Sequence, residues 1–140
     1  MSNIEKRVKR YHDKIEFIIE KIEDIPKDNP TSLEKDGIFY RLLVAIEAAM
    51  DIIAMQLKDI GIKVEDDYNN IEKLVTNKRI SIELGKGLKK CNGLRNILVH
   101  KYNKMDEEIA IESIDEVKRN LISLIKIIEE FLDEFKKNKG

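Results

Sequence analysis

The sequence is poor in the residues that usually cross-link or break a small fold. Its 140 residues contain one cysteine, two prolines, two histidines and no tryptophan. A single cysteine cannot form an internal disulfide, and one cysteine with two distant histidines does not make a zinc site. There is no secretory leader and no run of about eighteen apolar residues. We therefore expect a cytoplasmic protein without a structural metal or a membrane segment.

Phosphate-binding loops are missing as well. The glycine-containing tract G-K-G-L-K-K at residues 85–90 lacks the spacing and the Ser or Thr of a P-loop. Nucleotide hydrolysis is therefore not supported, and we expect no cofactor.

Charge is nearly balanced over the whole chain but not along it. The net charge of −1 argues against a protein that coats nucleic acid through bulk electrostatics. Between residues 78 and 104, however, Glu83 is the only acid among eight basic residues. Such an excess attracts a phosphate backbone locally, although a solvated lysine-rich face is the alternative. The candidate RNA-binding residues are Lys89, Lys90, Lys101 and Lys104.

The spacing of apolar residues predicts helices throughout. From Ile4 to Ile25 the apolar residues alternate steps of four and three, which predicts a first helix to about Asp24. Thr31, with Glu34 three residues later, predicts a capping box that opens a long second helix ending at Gly61. A short helix is expected around residues 71–75, a third long stripe runs over residues 82–98, and the final helix follows a turn near residues 103–106. The apolar positions predicted for the second helix are Leu33, Phe39, Leu43, Ile46, Met50, Ile53, Leu57 and Ile60.

These elements predict one all-α domain of residues 1–140, an antiparallel bundle of four to five helices. The stripe over residues 82–98 contains Gly85, Gly87 and Gly93, each of which costs about 1 kcal/mol relative to alanine in a helix. We expect close contact with neighbouring helices to compensate. Cys91 fits the same apolar stripe and is predicted to pack in the core rather than to act as a nucleophile.

One short stretch concentrates reactive side chains. In residues 91–102, C-N-G-L-R-N-I-L-V-H-K-Y, His100 ends an apolar run, five residues after Arg95 and two before Tyr102. On a continuous helix Arg95 would lie about 140° around the axis from His100. Either the helix end distorts, or a second copy completes the site across a two-fold axis. The second alternative predicts a symmetric homodimer.

A cleft that contains arginine and histidine suits RNA. A histidine can take the proton of a ribose 2′-hydroxyl or protonate the leaving oxygen, while an arginine holds the phosphate and offsets developing charge. This chemistry needs no metal, and DNA would not be cut because it lacks the 2′-hydroxyl. The plainer interpretation makes His100 a helix-terminal residue favoured by the dipole, Arg95 a surface residue and Tyr102 an apolar plug.

Two tracts resemble a known family. The tract L-R-N-I-L-V-H-K-Y at residues 94–102 resembles the Arg-x4-His-x-Tyr motif of the HepT-like toxins, a branch of the HEPN ribonuclease superfamily. The tract Y-R-L-L-V-A-I-E-A-A-M-D-I-I-A at residues 40–54 is similar to the second-helix signature of those proteins. With the order and length of the helices, the resemblance covers roughly the whole chain. One departure is Met55, near a position where many relatives have a histidine.

The resemblance implies an all-helical homodimer whose paired motifs form a metal-independent RNA-cleaving cleft. By position, Arg95 and His100 are the catalytic pair and Asn96 is their polar neighbour. The partner implied is an MntA-like nucleotidyltransferase antitoxin, which silences the toxin by transferring AMP to Tyr102. A phosphate added beside the cleft would oppose RNA binding, which gives a physical reason for that position.

Glu47 and Asp51 lie four residues apart and so share one face of the second helix. We expect them to support Arg95 or His100, with a solvated acidic face as the alternative. Two functions follow. The first is an RNase toxin of a type VII toxin–antitoxin pair, and the second is a non-catalytic helical module that binds nucleotide or docks a nucleotidyltransferase.

Overall fold

The computed structural model describes residues 2–25, 28–100 and 103–139. These residues form six helices and no strand, so the predicted all-α class is confirmed. None of the described helices is long and apolar enough to cross a membrane. The helices are α1 (Asn3–Ile22), α2 (Ser32–Asp59), α3 (Asp67–Thr76), α4 (Ile82–Val99), α5 (Lys104–Glu112) and α6 (Ile114–Lys139).

Side-chain caps define where the helices begin. The predicted capping box of α2 is confirmed, since Thr31 accepts from the backbone of Glu34 and the Glu34 carboxylate accepts from the backbone of Thr31. A second capping box joins Asn103 and Asp106, and it opens α5 where the sequence indicated only a turn. The described residues therefore form six helices rather than the four to five expected, because α5 and α6 are separate helices with a break at Ser113.

The apolar stripes meet in one core to which all six helices contribute. Helix α2 contacts α1, α3, α4 and α6, and its buried residues begin at Ile38. Three residues of the predicted apolar stripes are exposed: Leu33, Ile82 (66%) and Ile109 (40%). Leu33 is 81% exposed because it lies in the first turn of α2, five residues before the first buried residue of that helix.

A polar clamp fastens α1 to the C-terminal end of α2. Tyr11 is fully buried and donates a hydrogen bond of 2.5 Å to the Asp59 carboxylate, and Arg7 binds the same carboxylate at 2.9 Å. Burial, together with the hydrogen bond to Asp59, raises the pKa of Tyr11 above its ordinary value. The clamp keeps a buried phenol satisfied where α1 and α2 cross.

Close contacts with neighbouring helices account for two of the three glycines of α4. A Cβ at Gly85 would lie 2.5 Å from the Val75 side chain of α3, and a Cβ at Gly87 would overlap the Asn120 side chain of α6. The expected close helix contact is therefore confirmed at both. At Gly93 nothing in the described structure lies within 4 Å of the added atom.

Candidate functional site

Helix α4 ends at Val99, and His100 is its C-terminal cap. The backbone of His100 is extended, with φ −91° and ψ 165°, and the residue is exposed. The 140° angle of a continuous helix therefore does not apply to its ring. Of the two alternatives that the sequence left open, the distorted helix end is the one observed. The homodimer of the other alternative is not tested by a single chain and stays a prediction.

Arg95 lies one turn before this end and is held by two oxygens. Its guanidinium donates to the Glu47 carboxylate at 3.2 Å and to the Asn96 side-chain oxygen at 3.2 Å. The ion pair joins α4 to α2 and is half-buried, with side-chain exposures of 32% for Arg95 and 42% for Glu47. Two of the residues that the sequence grouped around Arg95 are thus in contact with it.

Asp51 follows Glu47 by one turn but pairs elsewhere. Its carboxylate lies 3.2 Å from the Lys14 ammonium of α1, and the Asp51 side chain is 62% exposed. The carboxylate pair expected from the sequence is therefore divided: Glu47 binds the arginine of α4, and Asp51 binds a lysine of α1. A supporting role for Asp51 remains a prediction.

The structure adds Asp67, which the sequence had not indicated. Burial at the start of α3 raises the pKa of Asp67, the charge of Arg95 opposes that rise, and the charges of Asp51 and Glu47 add to it. Arg95 therefore lies among carboxylates from two helices. The only signal in the sequence was an Asp-Asp pair that caps and opens a short helix, which says nothing about its neighbours.

Two of the predicted RNA-binding lysines already pair with carboxylates. Lys89 forms an ion pair with Glu72 of α3, and Lys90 lies 3.4 Å from Glu116 of α6. Each pair partly neutralises the basic excess that the sequence shows between residues 78 and 104. Binding of RNA by these two lysines stays a prediction, and a phosphate would have to compete with the carboxylates.

One of the remaining predicted residues, Lys104, belongs to α5. Lys104 is the first residue of that helix and is exposed. Lys101 and Tyr102, the predicted RNA-binding lysine and AMP acceptor, lie outside the described residues. The role of Lys101 comes from the basic excess between residues 78 and 104 and that of Tyr102 from the resemblance of the motif, and both stay predictions.

Cys91 is buried in the core, as the sequence predicted, and burial raises the pKa of its thiol to about 12. Such a thiol is a poor nucleophile at neutral pH. Across the described parts of the chain, no group of three or more His, Cys, Asp or Glu side chains is arranged to hold a metal ion.

Comparison with known proteins identifies the family. The model of a family described as "Ribonuclease HepT-like" matches residues 11–131, a range that includes every predicted site residue. The chain belongs to the HepT-like ribonuclease family. The resemblance noted in the sequence is thereby confirmed.

Relatives cover nearly the whole chain. A protein of Archaeoglobus fulgidus is 50% identical over 128 residues, which make up 91% of this chain and 97% of the relative. Another protein of that organism is 37% identical over 125 residues, 86% of this chain and 94% of the relative. Both relatives carry the name "Putative RNase".

Solved structures share the fold. A mutant MntA–HepT toxin–antitoxin crystal structure matches with a TM-score of 0.76 and 23% identity, over 86% of this chain and 98% of the other. A tri-AMPylated Shewanella oneidensis HEPN toxin, solved in complex with its MNT antitoxin, matches with a TM-score of 0.67 and 23% identity. That second match covers 93% of this chain and 99% of the other. The HepT-like chain thus has the architecture of HEPN toxins.

Proposed function

We propose that this chain, a single HepT-like domain of residues 1–140, is the cytoplasmic toxin of a type VII toxin–antitoxin pair and a metal-independent endoribonuclease. The observation that carries the proposal is the half-buried Arg95–Glu47 pair in a chain of the HepT-like ribonuclease family. Arg95 lies five residues before the exposed His100. The RNase names of the relatives and the toxins among the structural matches support it.

In the proposed reaction, a ribose 2′-oxygen attacks the adjacent phosphorus. An imidazole takes the 2′-hydroxyl proton, the O2′–P bond forms and the P–O5′ bond breaks. A second imidazole gives a proton to the departing 5′-oxygen, so the products are a 2′,3′-cyclic phosphate and a 5′-hydroxyl. Arg95 binds the phosphate and offsets the charge that builds on its oxygens in the transition state.

The reaction moves two protons, and each chain places one histidine at the end of α4. A two-fold homodimer would bring a second copy of His100 to the same cleft, with one copy acting as base and the other as acid. Glu47 would hold each Arg95 in one orientation. The charges of Lys101 and Lys104 would attract the phosphate backbone.

The cleavage experiment compares four chains with single-stranded RNA in the presence of a chelator. We expect His100→Ala and Arg95→Ala each to lose at least about 100-fold in rate, the lower range for a general acid–base group. His12→Ala is the matched control, because His12 is the other histidine and is exposed on α1. DNA of the same sequence should remain intact. Equal cleavage by wild type and both site variants, or cleavage that the chelator abolishes, would refute the proposal.

The proposed partner is an MntA-like nucleotidyltransferase antitoxin. In its reaction the Tyr102 hydroxyl oxygen would attack the α-phosphorus of ATP, pyrophosphate would leave and the phenolic proton would pass to a base. The product carries new negative charge beside the cleft, which repels RNA.

Intact-mass spectrometry after co-expression with this partner tests that step. The wild-type chain should gain one or more AMP masses and lose RNase activity, while Tyr102→Phe should gain none and stay toxic. Tyr40→Phe, at an exposed tyrosine of α2, is the control and should be modified like wild type. Modification that persists in Tyr102→Phe would exclude that tyrosine as the acceptor.

The alternative is a non-catalytic helical module that binds nucleotide or docks a nucleotidyltransferase. The pairing of Lys89 with Glu72 and of Lys90 with Glu116 favours it, because both pairs reduce the charge available to RNA. The same assay separates the two functions. A non-catalytic module would form the complex with its partner but leave RNA uncut at every protein concentration.

A further inference from the structure

Tyr68 places an exposed aromatic ring beside α4. It is the second residue of α3, it is 53% exposed, and the Lys89 ammonium lies 4.7 Å from the centre of its ring. Lys89 is itself held by Glu72, one turn further along α3. The ring therefore has one fixed cationic neighbour, while more than half of the residue's surface remains open to solvent.

Two asparagines continue from this point along α4. Asn92 and Asn96 follow Lys89 by three and seven residues, so all three lie along one face of the helix. Asn96 uses its side-chain oxygen to accept from Arg95, which leaves its amide NH₂ to donate. Asn92 is half-buried, and its side chain has no hydrogen-bond partner within the described part of the chain.

This face lies beside the proposed cleavage site. Asn92 is one turn from Lys89 on one side and one turn from Arg95 on the other. Asp67, the residue before Tyr68, is close enough for the charge of Arg95 to oppose the burial that raises its pKa. At the start of α3, Asp67 thus lies near Arg95 and Tyr68 lies near Lys89. Asn92 lies between those two residues along α4.

We propose that Tyr68 is a stacking platform for an unpaired nucleobase of the RNA and that Asn92 and Asn96 read the edge of that base. The inference rests on the proposed function and adds a base-binding subsite next to the scissile phosphate. Aromatic side chains bind single-stranded RNA by stacking, and side-chain amides donate to and accept from the exposed base edges. Lys89, beside the ring, would have to exchange Glu72 for the phosphate that follows the base.

A protein partner is the competing occupant, since tyrosine is also enriched at protein interfaces. The composition of this face favours RNA. Apart from the tyrosine it presents amides and an ammonium paired with Glu72 rather than an apolar cluster, and the unpartnered amide of Asn92 matches a ligand that has both donors and acceptors.

The test measures the affinity of the full-length chain for a labelled single-stranded oligonucleotide whose 2′-positions are methylated, so that it cannot be cut. We expect Tyr68→Ala to weaken binding by about 5- to 150-fold, the range for loss of one stacked base. Tyr68→Phe keeps the ring and should recover most of that affinity. Tyr40→Ala is the matched control, because Tyr40 is 58% exposed and also has a lysine, Lys21, over its ring at 5.9 Å. It should bind like wild type.

Base selection provides a second measurement. In a mixture of oligonucleotides that differ at one position, Asn92→Ala should even out the affinities for the four bases, while Tyr68→Ala should lower all of them. Circular dichroism and the thermal midpoint establish that each variant is folded.

Three outcomes would overturn the subsite. Tyr68→Ala could bind within twofold of wild type, it could lose no more affinity than Tyr40→Ala, or it could keep RNA affinity while losing the complex with the nucleotidyltransferase. The last result would assign the face to the protein partner. If the wild-type chain binds no single-stranded RNA, the proposed function itself fails, and the subsite fails with it.

Discussion

Replacing Glu47 by glutamine tests whether the carboxylate acts through Arg95 rather than through stability. The pair is half-buried at 3.2 Å, with both side chains about one-third or more exposed, so solvent screens its charges. Ion pairs of this kind contribute about 0–1 kcal/mol to the free energy of unfolding. Because the glutamine oxygen can still accept from the guanidinium, we expect Glu47→Gln to lower the thermal midpoint by at most about 4 °C.

The effect on cleavage should be larger than the effect on stability. Glu47 fixes one side of the guanidinium while Asn96 fixes the other, so a neutral acceptor leaves Arg95 charged but less firmly oriented. We expect kcat to fall about tenfold, equivalent to about 1.4 kcal/mol in the activation barrier. That is less than the 10²–10³-fold loss typical when such a donor is removed outright. KM should not rise, because Glu47→Gln removes a negative charge beside the phosphate of the RNA substrate.

The control is Asp13→Asn, which neutralises a carboxylate of α1 outside the predicted site. Asp13 pairs with Lys9 and is 58% exposed, so its neutralisation should change kcat by less than about twofold. Single-turnover cleavage with saturating protein gives the chemical rate directly, and urea unfolding gives the stability. The reasoning is wrong if Glu47→Gln keeps the wild-type rate, or if the two variants lose activity equally.

Three further predictions concern the scaffold. Tyr11→Phe removes the buried hydrogen bond to Asp59 and should cost about 1.5–3 kcal/mol in urea unfolding. Because the pKa of Tyr11 is raised in the folded chain, wild-type stability should fall as the pH rises above about 10, and the phenylalanine variant should lack that part of the loss. Cys91, with its pKa raised to about 12, should react with iodoacetamide at pH 8 about a thousandfold more slowly in the folded than in the unfolded chain. Gly87→Ala should destabilise the fold, whereas Gly93→Ala should stabilise it by about 1 kcal/mol, since nothing in the described structure lies near the new methyl group.

The sequence predicts helix positions and some helix caps correctly. The errors in the predicted fold concern single helix ends. The sequence predicts the capping box of Thr31 and Glu34 because an apolar stripe with helical spacing follows it. Asn103 and Asp106 form the same motif, but asparagine and aspartate also favour turns, and the segment after them has too short a stripe to decide. Leu33 has helical spacing, yet spacing cannot show that the first turn of α2 is exposed to solvent.

Charge pairing was beyond the reach of the sequence. Lys89 and Glu72 come from different helices and are 17 residues apart, and no local pattern predicts that they meet. The same holds for Asp67 near Arg95, which depends on how α3 packs against α4. Spacing put Glu47 and Asp51 on one helical face but could not say which of them would reach the arginine, because 48 residues separate Glu47 from Arg95.

Gly85 and Gly87 also limit how α4 can move. Val75 of α3 fills the space beside one glycine, and Asn120 of α6 fills the space beside the other, on different sides of the helix. If α4 slid along its axis by a single residue, a lysine or leucine side chain would have to enter one of these gaps. Helix α4 is therefore held against sliding near its N-terminal end, and Arg95 lies about 12 Å beyond Gly87 along the same helix. A partner that binds the distal end can bend or fray it, but it cannot reposition the arginine by pulling the helix lengthwise.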